Sequence, residues 1–202
     1  MSHNINYEPL VPVGFLMGRL DTSNLPMQEM IDYLLKHQDE AGKMPTNTHD
    51  PSKDTIGEDI HIPDTVECFQ DLMEEIDVGM ENFSKGQLEI ENIWGQVQHK
   101  GQCTAYHNHT DPYRQPTGKD LSFVFYLQAT DDCGYLKFPI DIHGVDYGKT
   151  IVPNTGGLIV FPAHLPHFTL KNNADIPRIV VSGNYREKGF IKFRESRTNE
   201  TE

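Results

Sequence analysis

Apolar residues recur at helical spacing in the first 87 positions of the chain and in short alternating runs after that. Met27, Met30, Ile31, Leu34 and Leu35 fall on one side of a helix, with Pro26 in its first turn and Asn24 placed to cap it. A second helix is expected from Asp64-Thr65-Val66-Glu67, which has the form of a capping box. Its apolar stripe is Val66, Phe69, Leu72, Met73, Ile76, Met80 and Phe83, a packing face. Val11–Leu20, broken by Gly14 and Gly18, reads as an edge strand. Gln38–Ile62, polar and rich in Asp, Lys, Gly and Pro, reads as a long surface loop.

Beyond Ser84 the period shortens. Runs rich in Val, Ile, Phe and Tyr alternate with Gly, Pro and Asn turns: Leu88–Val97, Cys103–His109, Leu121–Gln128, Tyr135–Phe138, Thr150–Val152, Gly157–Phe161, His167–Leu170 and Arg178–Asn184. Strands at this spacing with no helices between them predict an antiparallel sandwich or barrel, with the two N-terminal helices covering one sheet. No internal repeat is visible, and the end from Arg194 to Glu202 is polar.

Composition narrows the function. The 202 residues fit a single domain, 1–202, and their net charge of -13 lacks the basic footprint of a nucleic-acid binder. No stretch approaches the about 18 apolar residues of a membrane span, and Met1-Ser2-His3-Asn4 does not open a signal peptide. Cys68, Cys103 and Cys133 form no CxxC pair and read as reduced thiols, so a cytoplasmic protein is expected.

The most informative run is Cys103-Thr-Ala-Tyr-His107-Asn-His109-Thr-Asp111. On a strand, Cys103, Ala105, His107, His109 and Asp111 share one face. Two imidazoles and a carboxylate crowded together call for a partner, and a divalent metal such as iron, manganese or zinc satisfies them jointly. A further ligand can come from His164 or His167, in Phe161-Pro-Ala-His-Leu-Pro-His167. His167 opens a strand after a Pro turn and can be aimed inward, whereas His164 sits within the turn. Arg178 opens an apolar strand and is costly to bury without an anion. Ser182 lies on the same face, so the two could hold one carboxylate, a task suited to the guanidinium fork.

These residues resemble the Fe(II)- and 2-oxoglutarate-dependent oxygenases, and more narrowly the prolyl 4-hydroxylase-like oxygenases of viral and bacterial type. The matching stretches are Trp94-Gly-Gln-Val97, Gly101, His107-Asn-His109, Ser122–Leu127, Gly134–Phe138, Gly156–Pro162, Leu165-Pro-His167 and Arg178–Asn184, within residues 88 to 186. The resemblance implies a mainly β fold with flanking helices, the double-stranded β-helix or cupin-like jelly-roll. Residues 1–87 would be a helical support region, 88–186 the jelly-roll core and 187–202 a tail. It implies Fe(II), 2-oxoglutarate and O2, with His109, Asp111 and His167 as metal ligands. Arg178 would pair with the far carboxylate of 2-oxoglutarate, with Tyr126 and, more weakly, Ser182 in the same pocket. Many members of the narrower group carry His-x-His here, so His107 is the alternative to Asp111.

The activity so implied is hydroxylation of a C–H bond coupled to oxidative decarboxylation of 2-oxoglutarate, with no side-chain catalyst beyond the metal ligands. Two other readings use the same residues: a non-catalytic jelly-roll binding or structural module, and a zinc hydrolase built on His-x-His-x-Asp. The zinc reading is weakened by Pro112, where such hydrolases carry a further histidine. The substrate, a small molecule or a protein with peptidyl proline one candidate, would be chosen by loops 38–62, 112–120 and 139–148. Tyr113 and Arg114 are candidate contacts. No nucleic-acid or membrane partner is expected, and the oligomeric state is open, a homodimer included.

Overall fold

The computed structural model describes residues 14–40, 59–84, 86–110, 119–142, 145–146 and 148–188. Strand β1 (Leu16–Arg19) precedes helix α1 (Met27–His37); β2 (Asp59–His61) precedes helix α2 (Gln70–Ser84). There follow β3 (Leu88–Gln98), β4 (Leu121–Gln128), β5 (Leu136–Phe138), β6 (Asp141–Ile142), β7 (Val145–Asp146) and β8 (Lys149–Ile151). The last three are β9 (Gly157–Pro162), β10 (Phe168–Thr169) and β11 (Arg178–Glu187). Six strands form one antiparallel sheet in the order β1-β9-β4-β11-β3-β2, and three form a smaller one, β10-β5-β8. This is the jelly-roll layout with flanking helices.

Strand alternation divides the chemistry between the two faces of the large sheet. Phe123, Phe125 and Leu127 of β4, Ile93 and Val97 of β3, and Ile179, Val181 and Tyr185 of β11 pack outward. They meet Met30, Ile31 and Leu34 of α1 and Leu72, Ile76 and Met80 of α2. Each such side chain contributes about 1.5–3 kcal/mol by leaving water. Helix α1 comes so close that a Cβ on Gly95 would lie 2.2 Å from Leu34 Cδ2. The inward face has its own cluster, in which Tyr126, Ile159, Phe161 and Val180 meet Leu136, Phe138 and Ile151 of the small sheet. The even-numbered residues of β11, from Arg178 to Arg186, therefore point between the sheets.

Several expectations are corrected. Asn24 does not cap α1: the N-cap position is Pro26, with no side-chain cap bond. The predicted capping box at Asp64 does not form either; Glu67–Phe69 is a 3-10 turn that leads into α2, and its N-cap residue is Val66. The loop expected over 38–62 ends as strand β2, which pairs with β3 and buries Ile60 and Ile62. Ile60 and Ile62 alternate with polar neighbours, a short pattern masked by the polar run before it. Cys103–His109 is not a regular strand: it is extended chain with a His107–His167 bridge. Phe83's side chain, Asp111, Tyr113, Arg114, most of loops 38–62 and 112–120, residues 143, 144 and 147, and the tail beyond 188 lie outside the described residues. The loop expected over 139–148 carries the short antiparallel pair β6–β7.

Candidate active site

The inward face of the large sheet and the small sheet enclose a cavity. Extended chain brings the histidines to its rim. His107 and His167 exchange backbone hydrogen bonds, N to O at 3.0 and 2.8 Å, and the His109 amide donates to Ala163 O at 2.8 Å. The ligand-capable atoms of His107, His109 and His167 then lie within 4.8 Å of one another, close enough to hold one metal ion. His164, the other candidate, stays outside this group. Asp111 belongs to the segment that is not described.

The histidines' outer nitrogens are already used. His107 Nδ1 meets Ala105 O at 2.7 Å and His167 Nδ1 meets Leu165 O at 2.9 Å. A carbonyl can only accept, so each Nδ1 carries a hydrogen, which leaves Nε2 as the ring atom available to a metal. His167 Nε2 faces His109 Nε2 at 3.2 Å. Two lone pairs at that separation repel unless His109 Nε2 carries a proton or a cation sits between them. Burial, with the charge of His107 next, lowers the pKa of His167 to about 3. Burial also holds His109 well below the usual imidazole range, helped by His167, His107 and Arg186. Both rings are therefore neutral at physiological pH, the form a metal requires. The donor set of mutually facing neutral imidazoles suits iron, nickel or zinc.

Arg178 lies in the same cavity, 2 % exposed. Its Nη1 donates to Gly134 O at 2.7 Å, and its Nη2 to Thr169 Oγ1 at 2.7 Å and to Gln98 Oε1. Every acceptor is neutral. No carboxylate of the described residues offsets its charge, and burial lowers its pKa. Tyr126 and Ser182 also line the cavity, and neither hydroxyl has a protein hydrogen-bond partner among the described residues. Burial pushes the Tyr126 phenol up to about 12, with nearby Arg178 pulling the other way, so it stays protonated as a donor.

Sequence reading missed Gln96, Gln98, Thr104 and Thr169, which also line the cavity. Parity on β3 puts Gln96 and Gln98 on the face of Trp94, a usable signal, but only the sheet order shows that this face is the inner one. Arg186 was missed as well. Its Nη2 donates to His109 O at 2.9 Å and its Nε to Glu91 Oε2 at 2.8 Å. Glu91 is the extra residue of a β-bulge, since Asn184 pairs with Asn92 and Tyr185 with Ile90.

No protein-family model matches the sequence, and no curated protein matches it significantly. Solved structures do match in fold. A prolyl-4-hydroxylase of Pseudomonas putida superposes at TM-score 0.56 with 18 % identity, over 88 % of this chain and 94 % of that one. The viral collagen prolyl hydroxylase of Paramecium bursaria Chlorella virus-1, in complex with 2-oxoglutarate, does so at TM-score 0.56 with 17 % identity, over 86 % and 96 %. HygX of Streptomyces hygroscopicus, with nickel and 2-oxoglutarate bound, gives TM-score 0.61 with 12 % identity over 88 % and 84 %. The fold is that of the 2-oxoglutarate-dependent oxygenases.

Proposed function

We propose that the chain is a non-haem iron oxygenase that couples oxidative decarboxylation of 2-oxoglutarate to hydroxylation of a C–H bond. What carries the reading is one cavity holding three facing imidazoles and a buried arginine bonded only to neutral acceptors. A keto diacid satisfies both ends, its keto acid at the metal and its far carboxylate at Arg178. Ferrous iron with 2-oxoglutarate supplies the oxidising power, one atom of O2 ending in succinate and the other in the product.

The protein's own part is binding, orientation and exclusion of water. His107 and His167, held through Nδ1, present Nε2 lone pairs. Arg178 and Tyr126 grip the carboxylate, and Val124, Leu136 and Val180 line the same cavity as its apolar wall. In this reading the metal sits on His107, His109 and His167, with Asp111 the competing third ligand. The substrate is a small molecule or a protein; the prolyl hydroxylases among the similar folds make a peptidyl proline the first to test.

Anaerobic titration with Fe(II) and then 2-oxoglutarate tests this, read by the visible charge-transfer band and, after O2, by succinate. His109→Ala and His167→Ala should abolish the band. Arg178→Ala should weaken 2-oxoglutarate binding about tenfold or more while metal binding persists. Loss of metal in His107→Ala but not in Asp111→Ala supports the three-histidine set, and the reverse supports Asp111. A folded protein that takes up iron yet gives neither band nor succinate defeats the proposal in favour of a binding module. Zinc bound in pairs, with hydrolysis indifferent to 2-oxoglutarate, defeats it in favour of a hydrolase.

A further inference from the structure

Three histidines face one another in the pocket, but only two have an anchored ring. His107 and His167 are fixed through Nδ1 by the carbonyls of Ala105 and Leu165, at 2.7 and 2.9 Å. No such anchor holds the His109 ring among the described residues. Its aim depends instead on its backbone, whose φ and ψ set the direction of the side chain, and on the Trp94 ring, whose centroid lies 5.3 Å away. The His109 N–H donates to Ala163 O at 2.8 Å, which restrains φ. The His109 carbonyl accepts from Arg186 Nη2 at 2.9 Å, which restrains ψ. In this extended chain the guanidinium thus takes the place of a neighbouring strand.

Arg186 is itself held. Its Nε donates to Glu91 Oε2 at 2.8 Å, and Nε and Nη2 form one fork, so the carboxylate and the His109 carbonyl fix the guanidinium between them. Glu91 can take that place because it is the residue inserted by the β-bulge. Asn92 pairs with Asn184 on the inner face, and Ile90 with Tyr185 on the face toward the helices. In a regular strand residue 91 would face the helices; the bulge re-aims it toward Arg186.

The pair is a poor device for stability. Arg186 is 4 % exposed, and its Nη1 is buried with no partner among the described residues. Apolar residues of similar volume would fill the same space at no greater cost. What they could not do is hold a carbonyl.

We propose that Arg186, oriented by Glu91, is a positioning residue for the metal: it fixes the His109 backbone so that this unanchored imidazole meets the ion. This rests on the metal-binding reading above, in which His109 is a ligand whether His107 or Asp111 completes the set.

Metal binding by the full-length protein tests it, with Mn(II) affinity measured by calorimetry and ligand geometry read from the visible bands of Co(II). Replacing the pair by Glu91→Leu with Arg186→Met should keep the fold, since neither charge is left unpaired. It should raise the Mn(II) dissociation constant about tenfold or more and shift the Co(II) bands. Arg186→Lys, with one nitrogen in place of the fork, should change both in the same direction, which covers the case where the double variant does not fold. Gly95→Ala, a destabilising change on the helix-facing side of β3, should leave the constant within about twofold of wild type and the bands unmoved. Wild-type affinity in both Arg186 variants, or an equal loss in Gly95→Ala, overturns the positioning role while leaving the function standing. A wild-type protein that binds no Mn(II) overturns the functional reading and this inference with it.

Discussion

Acidifying the metal-free protein should unfold it through His167. The ring is 3 % exposed, and its pKa falls from an ordinary 6.5 to about 3. Between those values the unfolded chain binds a proton at this site that the folded chain refuses, so stability is complete above about pH 6.5 and is lost as pH falls. The loss is about 1.4 kcal/mol per pH unit, or roughly 2.7 kcal/mol between pH 6.5 and 4.5. His109 shifts in the same direction and adds to it. Titrating carboxylates contribute their own slope, so the quantity to measure is a difference. Urea unfolding in the presence of a chelator, for wild type and His167→Gln, should give stability curves whose slopes between pH 6 and 4.5 differ by nearly one proton. Saturating Mn(II) should shift the acid transition of the wild type to lower pH, because bound metal competes with the proton. Parallel curves for the two metal-free proteins would mean that His167 titrates like a solvated imidazole. The desolvated metal pocket argued above would then be wrong.

Gly95→Ala should cost about 1–3 kcal/mol in urea unfolding, because its Cβ would meet Leu34 Cδ2 at 2.2 Å and Cδ1 at 2.8 Å in a fully buried contact. Partial rescue by Leu34→Ala in the same chain would confirm the collision, and unchanged stability would refute it. Glu91→Ala should cost about 3–5 kcal/mol, since it leaves the Arg186 guanidinium buried without its 2.8 Å partner. The same measurement reads it, and a near-neutral result would show that the pair is solvated.

Much of this architecture was written in local pattern. The stripe of Met30, Ile31 and Leu34 and the alternation of β4 and β11 follow from periods of 3.6 and 2.0 that need no partner to be seen. Tyr126, by contrast, is singled out by the family resemblance, and His107 and His109 lie in extended chain outside any regular strand. Caps were less legible. Asn24 and Asp64 carry the right side chains, but the helices start three and six residues later. Packing of Phe69 and Met30 against the sheet fixes those starts more strongly than one capping bond would. Strand β2 was hidden because three residues carry almost no periodic signal, and its existence depends on the free edge of β3.

What the chain alone determined is the supply of chemistry: imidazoles two residues apart, a distant third, and a lone arginine at the head of an apolar strand. Which nitrogen each imidazole presents, and how many donors that arginine retains, was decided by tertiary structure. Both depend on acceptors distant in sequence or in local turns, such as Gly134 O, Gln98 Oε1 and Leu165 O. A hydrogen bond is directional and short-ranged, so its partners are known only once the sheets have brought them within about 3 Å of each other.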